Sequence, residues 1–432
     1  MSTQASVRPT ADGGHSEDIA GRAGAQPAPR LRQPISVVLG RYSALFLLAF
    51  FIVVFGALEP DLFLSASTFR ITFSEGVVTA VVALAFLIPL AAGTYDLSVG
   101  AMMGTSLVMM NWFGANTDIP IGLVAVGTVV LCCLIGLVSG VIIVKFRVNS
   151  LIATLGVSQV LSAVTLKVSN NRQITGAFSA GFTNLGEKIV WGVPIVVLYL
   201  LVLAAVIWFV LEHTPVGRYL FAVGSNPEAA RLAGLSTTRL TYGSLAASGG
   251  IAAIAGIIYA MRVGAYSEQA GPGLLFPALA AVFFGASQFS GRPNVWGTLV
   301  AYFALAFGVK GLQLSFGPGT FWIQPLFQGM ALLVAVGLAS RQIAQTKRSR
   351  RTQAAAAAAE AEQAAAPAAN DGGQDAASAA EPNSAGKSVT TAKSVAAGLS
   401  VTAEESEKRP ASDPATPGES TETAGVAVDA AK

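Results

Sequence analysis

The sequence predicts an all-α integral membrane protein, and three observations carry that prediction. Of the 432 residues, 53% are hydrophobic and only 12% are charged, whereas soluble domains carry about a quarter charged residues. The mean hydropathy is +0.60. Apolar runs close to the roughly 20 residues that cross a bilayer as a helix recur along the chain. We therefore expect about ten transmembrane helices and one short helix outside the membrane.

Ten apolar runs are long enough, or nearly long enough, to span a bilayer. They cover residues 37–58, 76–94, 97–114, 120–144, 151–167, 190–211, 240–261, 275–288, 295–312 and 325–340. Glycine, serine and other polar residues interrupt the third, fifth, eighth and ninth runs. Neighbouring helices can satisfy the backbone groups that such residues free, so the interruptions favour a packed bundle.

Two polar tails flank a membrane domain predicted over residues 37–345. Residues 1–36 are rich in Gly, Ala, Pro and Arg, and no short apolar core with a cleavage site precedes the first run, so we expect no cleavable signal peptide. Residues 346–432 form a low-complexity segment without the large apolar side chains that offset the entropy of ordering. We expect both tails to be disordered and cytoplasmic.

Lysine and arginine set the expected orientation. With a cytoplasmic N-terminus, basic residues accumulate in the inner loops and tails, including the arginine cluster at 341–351, and fewer fall in the outer loops. Cytoplasmic loops usually carry this excess, so both termini are predicted to be cytoplasmic, with an even number of spans. Trp112, Trp191 and Trp322 then lie near outer boundaries and Trp296 near an inner one.

Several kinds of chemistry find no support in the sequence. Cys132 and Cys133 are adjacent and point in different directions on a helix, so they are read as apolar filler rather than a disulfide framework. His15 and His213 have no companions at metal-ligand spacing. The net charge of +3 is too small to indicate nucleic acid. We predict no catalytic residue, metal site or cofactor.

The stretch "GKS" at Gly386–Ser388 resembles the end of a phosphate-binding loop. The loop requires a glycine five residues earlier, where this chain has Glu381, and a preceding strand. The chain is therefore predicted to have no ATP site of its own.

The stretch "GSNPEAARLAGL", residues 224–235, predicts a short helix in the longest cytoplasmic connection, 212–239. Asn226 can cap the N-terminus, Pro227 suits the first helical position, and Gly234 suits the exit. The helix would be only about 10 Å long, too short to be stable alone in water. The residues alone leave two readings open, a loop helix packed on its own spans or a helix inserted into a partner's groove.

Four motifs, one of which contains this helix, occur along the chain. They are "YDLSVGAMMG" (95–104), "NSLIATLGV" (149–157), "GRYLFAVGSNPEAARLAGL" (217–235) and "ALAAVFFGASQFSGRPNVWGTLVA" (278–301). Together they resemble the monosaccharide, ribose-type branch of ABC importer permeases over roughly residues 40–340, and "EAARLAG" resembles the EAA-type coupling element of those permeases. The chain departs from the family pattern at Thr94 and Tyr95, usually glycine and an aliphatic residue, and at Ser150, usually proline.

The resemblance implies a permease subunit that moves a monosaccharide across the bacterial cytoplasmic membrane by alternating access. It implies a separate ABC ATPase subunit, so the chain would not itself be an enzyme, together with an extracytoplasmic sugar-binding protein, surrounding lipid, and a second permease as a homodimer or a pair. The ATPase-coupling residues would be Asn226, Pro227, Glu228, Ala229, Ala230, Arg231, Leu232, Ala233 and Gly234. The alternatives are nucleosides or branched-chain amino acids as cargo. An ion-coupled secondary transporter is a further alternative, although it would need more intramembrane charges than Asp96, Lys167 and Lys310.

The candidates for the transport pathway or its gate are Asp96, Ser98, Asn149, Thr154 and Gln159. Asp96 is either a gating carboxylate or a cap that accepts from the backbone N–H of Val99 or a neighbour. Asn149 is likewise either a helix cap or an inner-gate contact. Polar groups within the runs either line the pathway or let helices approach closely. The small residues of 243–256 suit tight packing, inside this bundle or across a dimer axis.

Overall fold

A computed structural model describes residues 42–286, 292–334 and 336–337. The chain divides into two units, Met1–Glu360 and Ala361–Lys432, and every described residue lies in the first. The tails predicted at 1–36 and 346–432 fall outside the described residues, so their expected disorder stays a prediction.

The described part of the chain is built almost entirely from helices. The long helices are α1 (Ser43–Leu58), α3 (Ala66–Ala91), α4 (Val99–Asn116), α5 (Ile121–Lys145), α6 (Ser150–Ser169), α8 (Ile195–His213), α11 (Thr237–Val263), α12 (Leu275–Ala286), α13 (Val295–Phe316) and α14 (Ile323–Val334). The short helices are α2 (Pro60–Phe63), α7 (Ala180–Glu187), α9 (Pro215–Ser225) and α10 (Pro227–Leu232), and the 3-10 turns are η1 (Glu268–Ala270) and η2 (Pro272–Leu274).

Two small antiparallel ribbons complete the described part. The first pairs β1 (Ile174–Thr175) with β4 (Ala265–Tyr266), and the second pairs β2 (Ile189–Val190) with β3 (Val193–Pro194). Trp191 lies in the turn between β2 and β3 with a φ of 51° and is 99% exposed. The ribbons are loop features and do not alter the helical class.

A helix occurs at each of the ten predicted runs, with shifted ends. The second helix begins at Ala66 rather than 76, because the Ser65 side chain caps it by accepting from the Thr68 N–H. The sixth begins at Ile195 rather than 190, because the chain first forms the β2–β3 hairpin. Among the described residues, 7 helical segments are long and apolar enough to cross a membrane. The all-α membrane class is confirmed, while ten spans stays a prediction.

Helix α11 is the central element of the bundle, packing against α3, α4 and α5. Its glycines allow close approach: a Cβ atom on Gly249 would collide with the Cys132 carbonyl oxygen, and one on Gly256 would lie 2.6 Å from the Met103 carbonyl oxygen. Small residues that let backbones touch are typical of helix packing in membranes. Gly249 and Gly256 of the small-residue stretch 243–256 therefore serve packing inside this bundle. Cys132 and Cys133 are both free, as expected.

The remaining helices surround this centre. Helices α12 and α13 pack on each other and on α3, α1 packs on α13, and α6 packs on α4. Large apolar side chains are exposed on the outer faces of α1, α5, α6 and α8, for example Val53, Leu123 and Val160. Since a soluble domain rarely exposes apolar faces of this extent, these surfaces suit contact with lipid or with another membrane chain.

Candidate functional site

A buried break separates α3 from α4. Helix α3 contains Pro89 and ends at Ala91, and Gly93 turns the chain with a φ of +74°, a conformation that glycine adopts without strain. The Thr94 N–H donates to the Pro89 carbonyl oxygen at 2.9 Å. Helix α4 resumes at Val99. The break therefore leaves several backbone groups inside the bundle that the two helices cannot satisfy themselves.

Asp96 lies in this break and is fully buried. One carboxylate oxygen accepts from the backbone N–H of Ser98 at 3.1 Å and from the Ser98 hydroxyl. The other accepts from the Ser248 hydroxyl on α11 at 2.8 Å. A buried charge is expensive unless it is paired or hydrogen-bonded, and here both oxygens are satisfied. The carboxylate thus ties the break to the central helix. Its backbone donor is Ser98, the residue next to Val99.

Helix α6 supplies acceptors to the backbone of the same break. The Tyr95 N–H donates to the Ser150 hydroxyl oxygen at 3.2 Å, and the Leu97 N–H donates to the Thr154 hydroxyl oxygen at 3.0 Å. The Thr154 hydroxyl in turn donates to the Ser150 carbonyl oxygen at 2.8 Å. Tyr95 and Ser150, two positions at which the sequence departs from the family pattern, are therefore hydrogen-bonded to each other.

The five candidate pathway residues separate into two groups. Asp96, Ser98 and Thr154 meet at the break. Asn149 caps α6, with its side-chain oxygen accepting from the Leu151 N–H at 2.9 Å, and Gln159 is exposed farther along α6. The sequence did not single out Ser248 as a partner, and no sequence pattern connects it to Asp96, which lies 152 residues earlier.

The short helix α10 is a separate feature with well-defined ends. The Asn226 side-chain oxygen accepts from the Ala229 N–H at 3.1 Å, Pro227 opens the helix, and Gly234 leaves it with a φ of +84°. The caps predicted from the sequence are therefore present. Ala230 is buried, whereas Leu232 is 86% exposed.

The outer face of α10 combines charge and apolar surface. Glu228 and Arg231 form an exposed ion pair at 2.8 Å, which contributes little stability because both groups are solvated. One side of the helix therefore packs on α9 and α11, and the other side presents an ion pair and an isolated leucine to the surroundings.

The break and α10 are connected through the end of α9. A Cβ atom on Gly93 would lie 3.0 Å from the Gly224 Cα atom, and one on Gly224 would collide with the Ala91 carbonyl oxygen. The backbones thus touch at a point where only glycine fits on either side. Gly224 is separated from the Asn226 cap by one residue, so this backbone contact lies directly beside α10.

A cleft of about 640 Å³ opens beside α9. Its lining includes Glu212, Arg218, Phe221 and Arg292, and the Arg292 guanidinium carbon lies 4.2 Å from the centre of the Phe221 ring. The cleft presents aromatic and charged groups beside α9, the helix that precedes α10.

A bundle of apolar helices around a hydrogen-bonded break, with a capped helix exposed beside it, is typical of polytopic membrane transport proteins. Residues 70–336 match the family described as branched-chain amino acid transport system / permease component. The chain belongs to this permease family.

Several relatives resemble the chain over most of their own length. The ribose import permease protein of Haemophilus influenzae is 30% identical over 290 residues, which cover 66% of this chain and 88% of the relative. The fructose import permease protein of Rhizobium meliloti is 30% identical over 307 residues, covering 68% and 83%. The D-allose transport system permease protein of Escherichia coli strain K12 is 27% identical over 300 residues, covering 69% and 91%. No solved structure matches the chain.

Proposed function

We propose that this chain is the membrane-spanning permease subunit of an ATP-driven importer and carries a monosaccharide inward by alternating access. The observation that carries the proposal is the exposed, capped helix α10 in backbone contact with a buried break of the bundle. The family membership supports the permease role. The ribose, fructose and allose permeases among its relatives favour a monosaccharide over nucleosides or branched-chain amino acids.

The residues Asn226 to Gly234 would dock into a groove of a separate ATPase subunit. An effector can shift the balance between two access states only by binding them differently. Helix α10 offers such a contact, because Leu232 and the Glu228–Arg231 pair are exposed and the Gly224–Gly93 contact leads from this helix to the break. Closure of the ATPase subunits would then move the break between α3 and α4.

We assign the break the role of gate. Thr154 and Asp96 hold it against α6 and α11 by hydrogen bonds, and the Ser98 N–H donates to the Asp96 carboxylate within the break. Exchange of these bonds would open or close the inner side. Asn149 would position α6 as its cap. Gln159 remains a candidate for the pathway, because it lies on an exposed face of α6 that a second permease can cover.

The remaining partners follow from the same proposal. The pathway would run between two permeases, either two copies of this chain or a pair, embedded in lipid through the exposed apolar faces. An extracytoplasmic sugar-binding protein would deliver the cargo, and both termini would lie in the cytoplasm of a bacterium.

Co-expression with a partner ATPase and binding protein tests the docking of α10. We expect the wild-type chain to copurify with the ATPase and to support uptake of ribose, fructose or allose. Glu228→Arg should reduce ATPase recovery about tenfold or more, because it replaces the exposed carboxylate and places two cations side by side. Glu268→Arg, at an exposed position in η1, is the matched control and should behave as wild type.

Three outcomes would overturn parts of this proposal. Normal ATPase recovery and uptake with Glu228→Arg would remove the docking role of α10. If the wild-type chain binds no ATPase and imports its cargo only with an ion gradient, the transport is ion-coupled and the ABC mechanism is wrong. If it imports leucine but none of the sugars, the proposed cargo is wrong.

A further inference from the structure

A second polar feature lies apart from the break. A cavity of about 220 Å³ opens between α3, α12, α13 and α14. It is located towards the end of the bundle at which α3 begins and α13 ends, which the predicted orientation places outside. The lining is mixed, with Leu305 and Pro277 beside several polar side chains.

Opposite charges border this cavity. The Lys310 ammonium lies 3.4 Å from a Glu75 carboxylate oxygen, with the lysine side chain 22% and the glutamate side chain 59% exposed. Glu75 also borders a neighbouring cavity of about 300 Å³ that contains Arg262. Ionisable groups within membrane helices are costly and are usually retained to line polar paths. Because the carboxylate is balanced by cations, the cavity suits a neutral polar ligand better than an ion.

Three glutamines face the same space. Gln313, Gln324 and Gln328 line the cavity, and among the residues that the structure describes none of their amides hydrogen-bonds to a protein group. Each amide offers two N–H donors and a carbonyl acceptor. The buried side chains of Thr79 and Tyr302 also line the cavity. The cavity therefore offers amide groups that are available to a ligand.

The volume of the cavity and the polar groups that line it indicate which class of ligand it can bind. The volume lies below the roughly 300–1,000 Å³ of sites for drug-sized molecules, so an oligosaccharide is too large. A monosaccharide carries alternating hydroxyl donors and acceptors around an apolar ring, which matches amides, a charge pair and apolar walls. We infer that this cavity is an outer binding subsite for the transported monosaccharide, with Gln324, Gln328 and the Glu75–Lys310 pair as its hydrogen-bonding groups. This inference rests on the proposed function.

The first test is uptake by the complete transporter in proteoliposomes. Radiolabelled D-ribose, D-fructose and D-allose serve as probes, and the ATPase rate is recorded in parallel. Loss of two hydrogen-bonding amides in a Gln324→Leu, Gln328→Leu double variant should lower uptake about tenfold or more, with ATPase recovery unchanged. Gln269→Leu, which removes an exposed amide in η1 outside the cavity, is the matched control and should stay within about twofold of wild type.

The second test does not depend on activity. Gln324→Cys and, as control, Gln269→Cys are made separately in a Cys132→Ala, Cys133→Ala chain and treated with a charged methanethiosulfonate reagent. The transported sugar should slow modification at 324 about threefold or more, because it occupies the same space, and should leave modification at 269 unchanged.

The outcomes separate this inference from the proposed function. If wild type imports none of the three sugars, the proposed cargo is wrong and the subsite is lost with it. If wild type imports a sugar while the double variant matches Gln269→Leu and the sugar protects neither cysteine, the cavity is structural and only this inference fails.

Discussion

The Asp96 side chain makes hydrogen bonds both within the break between α3 and α4 and to a second helix. Its carboxylate receives hydrogen bonds from its own break and from α11, so it acts at once as a local cap and as a link between elements. The choice between a cap and a gating residue, which the sequence left open, is therefore not exclusive. A cap that also contacts a second helix can change partners when that helix moves.

Removing the Ser248 hydroxyl tests this link. Ser248→Ala leaves one carboxylate oxygen of Asp96 buried without its hydrogen-bond donor, and we expect a loss of about 1–3 kcal/mol in the free energy of unfolding. Ser244→Ala is the control on the same helix, because the Ser244 hydroxyl donates to the Thr241 carbonyl oxygen of its own helix, at 2.9 Å. Thermal unfolding in detergent measures both. Equal losses in the two variants would show that the link to Asp96 adds no stability.

At the scale of elements, the proposed coupling depends on the contact between α9 and the break. Helix α10 is too short to be stable alone, and it is fixed by its caps and by packing on α9 and α11. Helix α9 then meets the break through Gly224 and Gly93, where neither backbone leaves room for a side chain. In a direct backbone contact, no flexible side chain lies between the two elements to absorb a displacement.

A methyl group at Gly224 is predicted to disturb this transmission. In Gly224→Ala the new Cβ would meet the Ala91 carbonyl oxygen, so α9 must shift away from the break. We expect sugar uptake to fall about tenfold while the ATPase still copurifies, which corresponds to roughly 1.4 kcal/mol of lost coupling. The measurements are uptake and ATPase rate in the same proteoliposomes.

Gly243→Ala provides the matched comparison. A Cβ at Gly243 meets nothing within 4 Å, and alanine favours the interior of a helix over glycine by about 0.5–1 kcal/mol. This variant should transport normally and unfold at the same or a slightly higher temperature. If Gly224→Ala behaves like Gly243→Ala in uptake, the α9 contact does not carry the coupling.

At the scale of the whole molecule, the described bundle is organised around α11, and two polar features bear on the proposed transport. One is the break near α6 and α11, and the other is the cavity between α3 and α13. Helix α3 contributes to both, since Glu75 lies in its first half and its last residue precedes the break. The proposed outer subsite and the proposed gate are therefore joined by one helix.

Deletion of residues 346–432 is predicted to leave transport intact. The family match ends at residue 336, and the tail lacks the apolar side chains that would let it add to the core. Uptake by the truncated chain should equal that of the full chain at matched membrane levels, as measured by blotting of the membrane fraction. A loss of uptake at normal membrane levels would assign the tail a regulatory role.

The sequence by itself determined the membrane class, the positions of the helical runs and the caps of α10. These properties are local or periodic: hydrophobic length decides whether a segment can cross a bilayer, and Asn226, Pro227 and Gly234 act within one turn of the helix they bound. The predicted starts of two helices were wrong because local features set them elsewhere: the Ser65 cap starts α3 earlier, and the β2–β3 hairpin delays the start of α8 to Ile195.

Only the tertiary structure decided which polar residues meet. Asp96 reaches Ser248, Tyr95 reaches Ser150, and Glu75 reaches Lys310 across 152, 55 and 235 residues. These pairings depend on the rotation and register of the packed helices. Backbone contacts at glycines help to set that rotation and register, and no local stretch of sequence predicts them. The sequence predicted Asp96 and Thr154 as polar groups in an apolar bundle, but the fold selected their partners, because a buried polar group must be satisfied by whichever helix lies against it.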